Sequence, residues 1–240
     1  MPHSEHFSKQ YDSDLEDVRS RVLQMGGVVE AQILAAIECF SSGDTERMTE
    51  VTDTELRVNA YEVDIDDLCV HIVARRQPAA RDLRLIMGVS KAVTDLERMG
   101  DEAEKITRMA RLIHERKGPQ IPLQAEVRRS GDLAVAQLRR ALDAMARLDP
   151  DEAERIISED ALIDTEFRGI LRQLITFMME DPRTISSSLD LLFIARSIER
   201  IGDHAKNISE YVVYLVKGRD VRHIGLAAME KEVARQPGNL

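Results

Sequence analysis

One short stretch constrains this chain more than any other, because it occurs twice. It reads Glu97-Arg98-Met99-Gly100-Asp101 and, 102 residues later, Glu199-Arg200-Ile201-Gly202-Asp203. Ala103/Ala205 and Ile106/Ile208 extend the match. A coincidence this dense within one chain points to two copies of one unit. Each copy sits in an apolar pattern with helical period. Leu85, Val89, Ala92, Leu96, Met99, Ala103, Ile106, Ala110 and Ile113 alternate spacings of four and three, which is a heptad seam. Leu191, Ile194, Ile198, Ile201, Ala205, Ile208, Val212 and Leu215 repeat most of that seam at the same offset.

The rest of the chain divides into helices around these two seams. Ser13 and Glu16 form a capping box, predicting a first helix from there to about Phe40. Gly43 suits the residue after that helix, and Asp44 the N-cap of a second helix over Thr45 to Ala74. Pro78 ends the second helix, since the residue before a proline resists helical dihedrals. The third runs from Ala79 to Glu115. Two prolines and a glycine within 117–122 mark the clearest break. A fourth helix covers Leu123 to Leu148. Asp149-Pro150 starts a fifth that reaches Met179, and Asp181-Pro182 starts a sixth that reaches Lys217. Glu55-x-x-Val58-Asn59 resembles Asp160-x-x-Ile163-Asp164 at an offset of 105, so the preceding helices match as well.

The expected fold is all-α: two tandem, pseudo-symmetric antiparallel three-helix bundles over residues 1–118 and 119–217, with a tail over 218–240. The long seams of the third and sixth helices predict that the bundles pack on each other. The tail is expected to hold a short helix at 224–233.

Composition excludes several functions. The formal charge of −10 argues against a nucleic-acid partner, whose phosphates demand a basic face. Aromatics are 4% and prolines number 7, as in a helical chain. Cys39 and Cys69 lie in apolar runs without metal-type spacing and read as buried thiols of a reducing compartment. No signal peptide or run of about 20 apolar residues is evident, so a cytoplasmic protein without direct membrane insertion is expected.

The acids of the repeated motif are the candidate functional groups. Glu97 and Asp101 are four apart and share one helix face, as do Glu199 and Asp203. The wheel turns each pair roughly 130° from its seam, towards solvent or a shallow groove beside the neighbouring helix. Oxygen ligands at i, i+4 can grip one divalent or trivalent cation, and acids of the second and fifth helices can add to them. A packing role accounts for Gly100 and Gly202 but not for the acids. Glu-x-x-His pairs of di-iron enzymes, HExxH motifs, Walker loops and dinucleotide turns are missing from the sequence. His204 follows the second motif, but Glu102 stands in its place in the first. No constellation for covalent or acid–base catalysis emerges.

The stretches 95–106 and 197–208 resemble the paired signature of the PhoU family. So do Arg76-Gln77-Pro78-Ala79-Ala80-Arg81-Asp82-Leu83-Arg84, Leu191-Leu192-Phe193-Ile194-Ala195-Arg196 and the opening Tyr11-Asp12-Ser13-Asp14-Leu15. The resemblance spans about residues 8–217. It implies a non-enzymatic negative regulator of phosphate uptake and of the phosphate-starvation response. Such a regulator couples the ATPase subunit of a phosphate ABC transporter to a membrane sensor histidine kinase. It further implies metal binding (iron, zinc, magnesium or similar) through Glu97, Asp101, Glu199 and Asp203. It also implies homodimers, and a cytoplasmic location with peripheral attachment to the inner membrane through partners. Two alternatives stand beside this: an accessory protein of a different phosphate permease, and a metal-dependent helical-bundle enzyme.

Overall fold

A computed structural model describes residues 3–116, 119–222 and 233, with side chains from Gln10 onward. Every regular element among the described residues is helical. The order is α1 (His3–Ser42), α2 (Thr45–Arg76), α3 (Ala80–Glu115), α4 (Gln124–Arg147), α5 (Pro150–Glu159), α6 (Ala161–Glu180), a 3₁₀ turn (Pro182–Thr184) and α7 (Ile185–Lys217). Helices α1–α3 form one antiparallel bundle and α4–α7 the other, as the duplication requires.

The start signals work where the chain needs a turn. Asp44 accepts from the amides of Glu46 and Arg47, and Asp149 from those of Asp151 and Glu152. Asp181 accepts from the amide of Arg183, but a 3₁₀ turn intervenes before α7 begins. Gly43 takes φ 72°, the left-handed conformation that closes α1.

Two expectations fail. The capping box at Ser13 is not a start, because α1 already runs from His3 and contains it. No proline or glycine lies between His3 and Asp12 to stop the helix, and the Tyr11 hydroxyl donates to Asp82 at 2.8 Å, fastening this first stretch to α3. The fifth helix is also not one piece. It divides at Asp160, whose φ −51° and ψ −35° remain helical and whose carbonyl accepts from the Ile163 amide at 3.2 Å, so the junction is a single tightened turn. Lys117 and Gly118 of the expected break, and the expected tail helix apart from the buried Val233, lie outside the described residues.

The Gln10–Ser42 part of α1 is long and apolar enough to cross a membrane by length and composition, which sequence reading did not anticipate. Here its apolar stripe, Val18 through Phe40, packs against α2, α3 and α4 and forms core. Both cysteines are buried and free.

The bundles share one continuous core, and α3 against α7 is the most extensive helix contact among the described residues. This junction has pseudo-twofold symmetry. Buried Asp95 accepts from His204, Asn207 and Tyr211 of α7 at 2.6, 3.0 and 2.8 Å. Buried Glu102 accepts from Ser197 at 2.8 Å and pairs with Arg200 at 2.8 Å and Lys105 at 3.0 Å. Exchanging the halves at offset 102 turns Asp95–His204 into Ser197–Glu102. The second contact, α1 against α4, obeys the same symmetry at offset 105. A Cβ on Gly26 would stand 2.6 Å from Leu142, and one on Gly131 2.5 Å from Ile37. Each glycine is the hole that receives the other half's aliphatic knob.

Candidate metal centre

The acid pair of the first half is not on an open outer face. Helix α3 is covered by α1, α2 and α7, so positions away from its seam still meet a neighbour. Glu97 and Asp101 are half-buried in the groove beside α2, where Glu55 joins them. One carboxylate oxygen from each of the three lies within 4.8 Å of the others. Glu55 is only 7% exposed. Its Oε2 accepts from Gln32 Nε2 at 2.8 Å, and the same amide reaches the Val51 carbonyl at 3.3 Å. Glu55 Oε1 and Gln32 Oε1 are buried without a hydrogen-bond partner.

This arrangement explains the glycine of the motif. A Cβ on Gly100 would stand 2.6 Å from Glu55 Oε2 and 3.1 Å from Gln32 Oε1. Only a residue without a side chain lets a carboxylate enter between α2 and α3 at that level. In the second half, a Cβ on Gly202 would stand 2.8 Å from Ile163 and 3.4 Å from Gln137 Oε1.

Burial and like charge dominate the electrostatics of the first site. Burial pushes the Glu55 carboxyl up, and Asp101, Glu97 and Glu104 push it further, against the Gln32 hydrogen bond. Burial also raises Glu97, followed by the charge of Asp101, with Arg98, Lys105 and His204 opposing. Glu62 is raised by burial and then by Glu97 and Asp66. Like charges crowded in a weakly polarisable groove disfavour one another's ionisation. A bound cation would reverse that. The donors are hard oxygens without thiol or imidazole, which suits magnesium, manganese, calcium or iron. The buried, unpartnered Glu55 Oε1 is the observation that fits such an ion.

The second half assembles differently. Glu199 is 8% exposed and Asp203 half-buried, beside Asp160 and Asp164. Burial raises both carboxyls. Asp203 then raises Glu199, while Asp160 and Asp164 raise Asp203. Here cations of the chain itself intervene. Arg196 pairs with Glu199 and lies 5.7 Å from the Phe167 ring, and Lys206 pairs with Asp160 at 2.8 Å.

The four acids named from sequence thus form two pairs, one per bundle, and Glu55 of α2 completes the first. Sequence reading missed Gln32 and Gln137, which stand 105 apart and are both buried behind a motif glycine. A glutamine interrupting the apolar stripe at the same place in both halves was the available signal. Arg200 crosses to Glu102 of the other half, and Arg98 is exposed.

The PhoU domain model matches this chain twice, at residues 22–110 and 127–212. The phosphate-specific transport system accessory protein PhoU homolog of Pseudomonas aeruginosa is 48% identical over 97% of this chain and 96% of its own. The crystal structure of PhoU from Pseudomonas aeruginosa superposes with a TM-score of 0.83, at 46% identity over 87% of this chain and all of that one. The phosphate transport system regulatory protein PhoU from Streptococcus pneumoniae gives 0.81 at 26% identity, over 88% of this chain and 99% of its own. Two copies of one bundle, the doubled motif and likeness over nearly the full length agree: the chain belongs to the PhoU family.

Proposed function

We propose that this chain is an accessory regulator of phosphate transport that restrains uptake and the phosphate-starvation response. It works as an adaptor, not an enzyme, between the ATPase subunit of a phosphate ABC transporter and a sensor histidine kinase. It acts from the cytoplasm and reaches the membrane through these partners. The observation that carries this is the 48% identity to a phosphate transport accessory protein over nearly the whole of both chains. The acidic groove fits a regulator: a hard cation held by Glu55, Glu97 and Asp101 would neutralise the cluster and tie α2 to α3.

Co-purification of the tagged full chain with the transporter ATPase and the kinase tests the reading, together with a phosphate-starvation reporter in a deletion strain. Capture of both partners and derepression of the reporter are expected. Capture of neither, with an unchanged reporter, would sink it. Capture of a single-component phosphate permease instead would favour the alternative accessory role.

A further inference from the structure

The duplicated motif need not do the same thing in both halves, and the residues around it differ in kind. In the first half, no lysine or arginine pairs with Glu55, Glu97 or Asp101 among the described residues. Lys105 is close along the chain but is held by Glu102 at 3.0 Å. Arg98 is exposed and forms no ion pair with these acids, although its charge partly offsets that of Glu97. Three carboxylates therefore converge with a buried Glu55 oxygen unpartnered.

In the second half, the counterpart of Glu55 is Asp160, and it is drawn to Lys206 at 2.8 Å. Lys206 stands where the first half has Glu104, so a negative charge has been exchanged for a positive one. Arg196 stands where the first half has Thr94, and it pairs with Glu199. The motif glycine also meets a different neighbour: Ile163 fills the space against Gly202 that Glu55 fills against Gly100. Glu199 Oε2 is buried without a hydrogen-bond partner too, so the halves do not differ in that. They differ in the ammonium and guanidinium on the second site's acids, and in the isoleucine that stands where the first has the Glu55 carboxylate. They differ also in the convergence of three carboxylates, which among the described residues only the first half shows.

We propose that the two sites are functionally unequal: the first-half cluster binds one hard divalent cation, and the second is a closed counterpart whose cation is supplied by Lys206 and Arg196. This rests on the cation reading above and assigns it to one half. A metal ion approaching Glu199 and Asp203 must displace two side-chain cations or bind beside them, and like charge at such distances is strongly unfavourable. The stoichiometry is then one cation per chain, although the motif occurs twice.

Equilibrium dialysis of the metal-stripped full chain against manganese(II), followed by elemental analysis, tests this. Circular dichroism confirms that each variant is folded. One equivalent is expected for the native chain. Glu55→Gln and Glu97→Gln/Asp101→Asn are expected to weaken binding at least tenfold, and Glu199→Gln/Asp203→Asn to retain the full equivalent. The double variant Arg196→Thr/Lys206→Glu installs the first half's residues and is expected to raise the count to two. Two equivalents in the native chain, or loss of the single equivalent in Glu199→Gln/Asp203→Asn, would overturn the inequality while leaving cation binding intact. A count that stays at one in Arg196→Thr/Lys206→Glu would overturn the blocking role of the two side chains. No binding in any form, that variant included, would overturn the cation reading itself.

Discussion

Adjacent glycines in the middle of α1 should respond to alanine with opposite signs. Gly26 faces α4 and Gly27 faces solvent. Both lie within a helix, where alanine is favoured over glycine by about 0.5–1 kcal/mol. At Gly27 nothing stands within 4 Å of a new Cβ, so Gly27→Ala should stabilise by roughly that amount. At Gly26 the new Cβ would stand 2.6 and 2.7 Å from the two Cδ atoms of Leu142 and 3.2 Å from its Cγ. Turning the end of the leucine does not clear the clash, because the Cγ is itself too close. Overpacking of this kind costs about 1–3 kcal/mol. Set against the helix gain, Gly26→Ala should destabilise by about 1–2 kcal/mol. Urea denaturation followed by circular dichroism should therefore separate the two variants by about 2 kcal/mol, or about 4–8 °C in melting temperature for a chain this long. Leu142→Val in the Gly26→Ala background should recover part of the loss. The reasoning fails if Gly26→Ala stabilises as Gly27→Ala does, or if Leu142→Val adds its own full cost.

Two further perturbations probe the buried polar groups. Glu102→Ala removes the acceptor shared by Ser197, Arg200 and Lys105, and should cost about 2–3 kcal/mol in urea; a change below about 0.5 kcal/mol would show that the junction does not depend on it. Glu210 on α7 has its carboxyl pushed up to about 7, by burial first, while Lys206 and Arg222 oppose and Asp220 and Asp160 add to the rise. Its charged form is therefore disfavoured on folding. No cost arises below pH 4.5, stability falls between about 4.5 and 7, and the full cost of up to about 3 kcal/mol remains above that range. Glu210→Gln should thus raise stability at pH 8 and leave it nearly unchanged at pH 4; a difference independent of pH would refute this.

Much of the fold was legible because local signals and long-range packing agree. The seams of α3 and α7 are periodic, and the residues that compose them are buried almost throughout. Asp44 and Asp149 cap helices because glycine or proline beside them forces the chain to turn there. Ser13 carries the same pattern without such a breaker, and the helix passes through it. The interruption at Asp160 left no breaker to read, since its dihedrals stay helical. The site was half legible. Spacing places Glu97 with Asp101 and Glu199 with Asp203, but a helical wheel considers one helix at a time. It turned the pairs away from the seam and could not show that α2 closes over that side. The meeting of Glu55 and Gln32 at Gly100 depends on three helices at once, and only tertiary geometry reveals it.

The pseudo-symmetric junction also dictates which halves can associate. Two first halves meeting through the same faces would bury Asp95 of one against Glu102 of the other, twice, placing four carboxylates in an interior that tolerates none unpaired. Two second halves would set Ser197 against His204 and lose both acceptors. Only a first half with a second half places each acid on its donors. The junction is thus a pairing of unlike bundles, although the two are copies of one unit. That rule is blind to whether the two bundles share a chain: association of molecules through this interface keeps the acids on their donors only where a first half meets a second half, never where like halves meet.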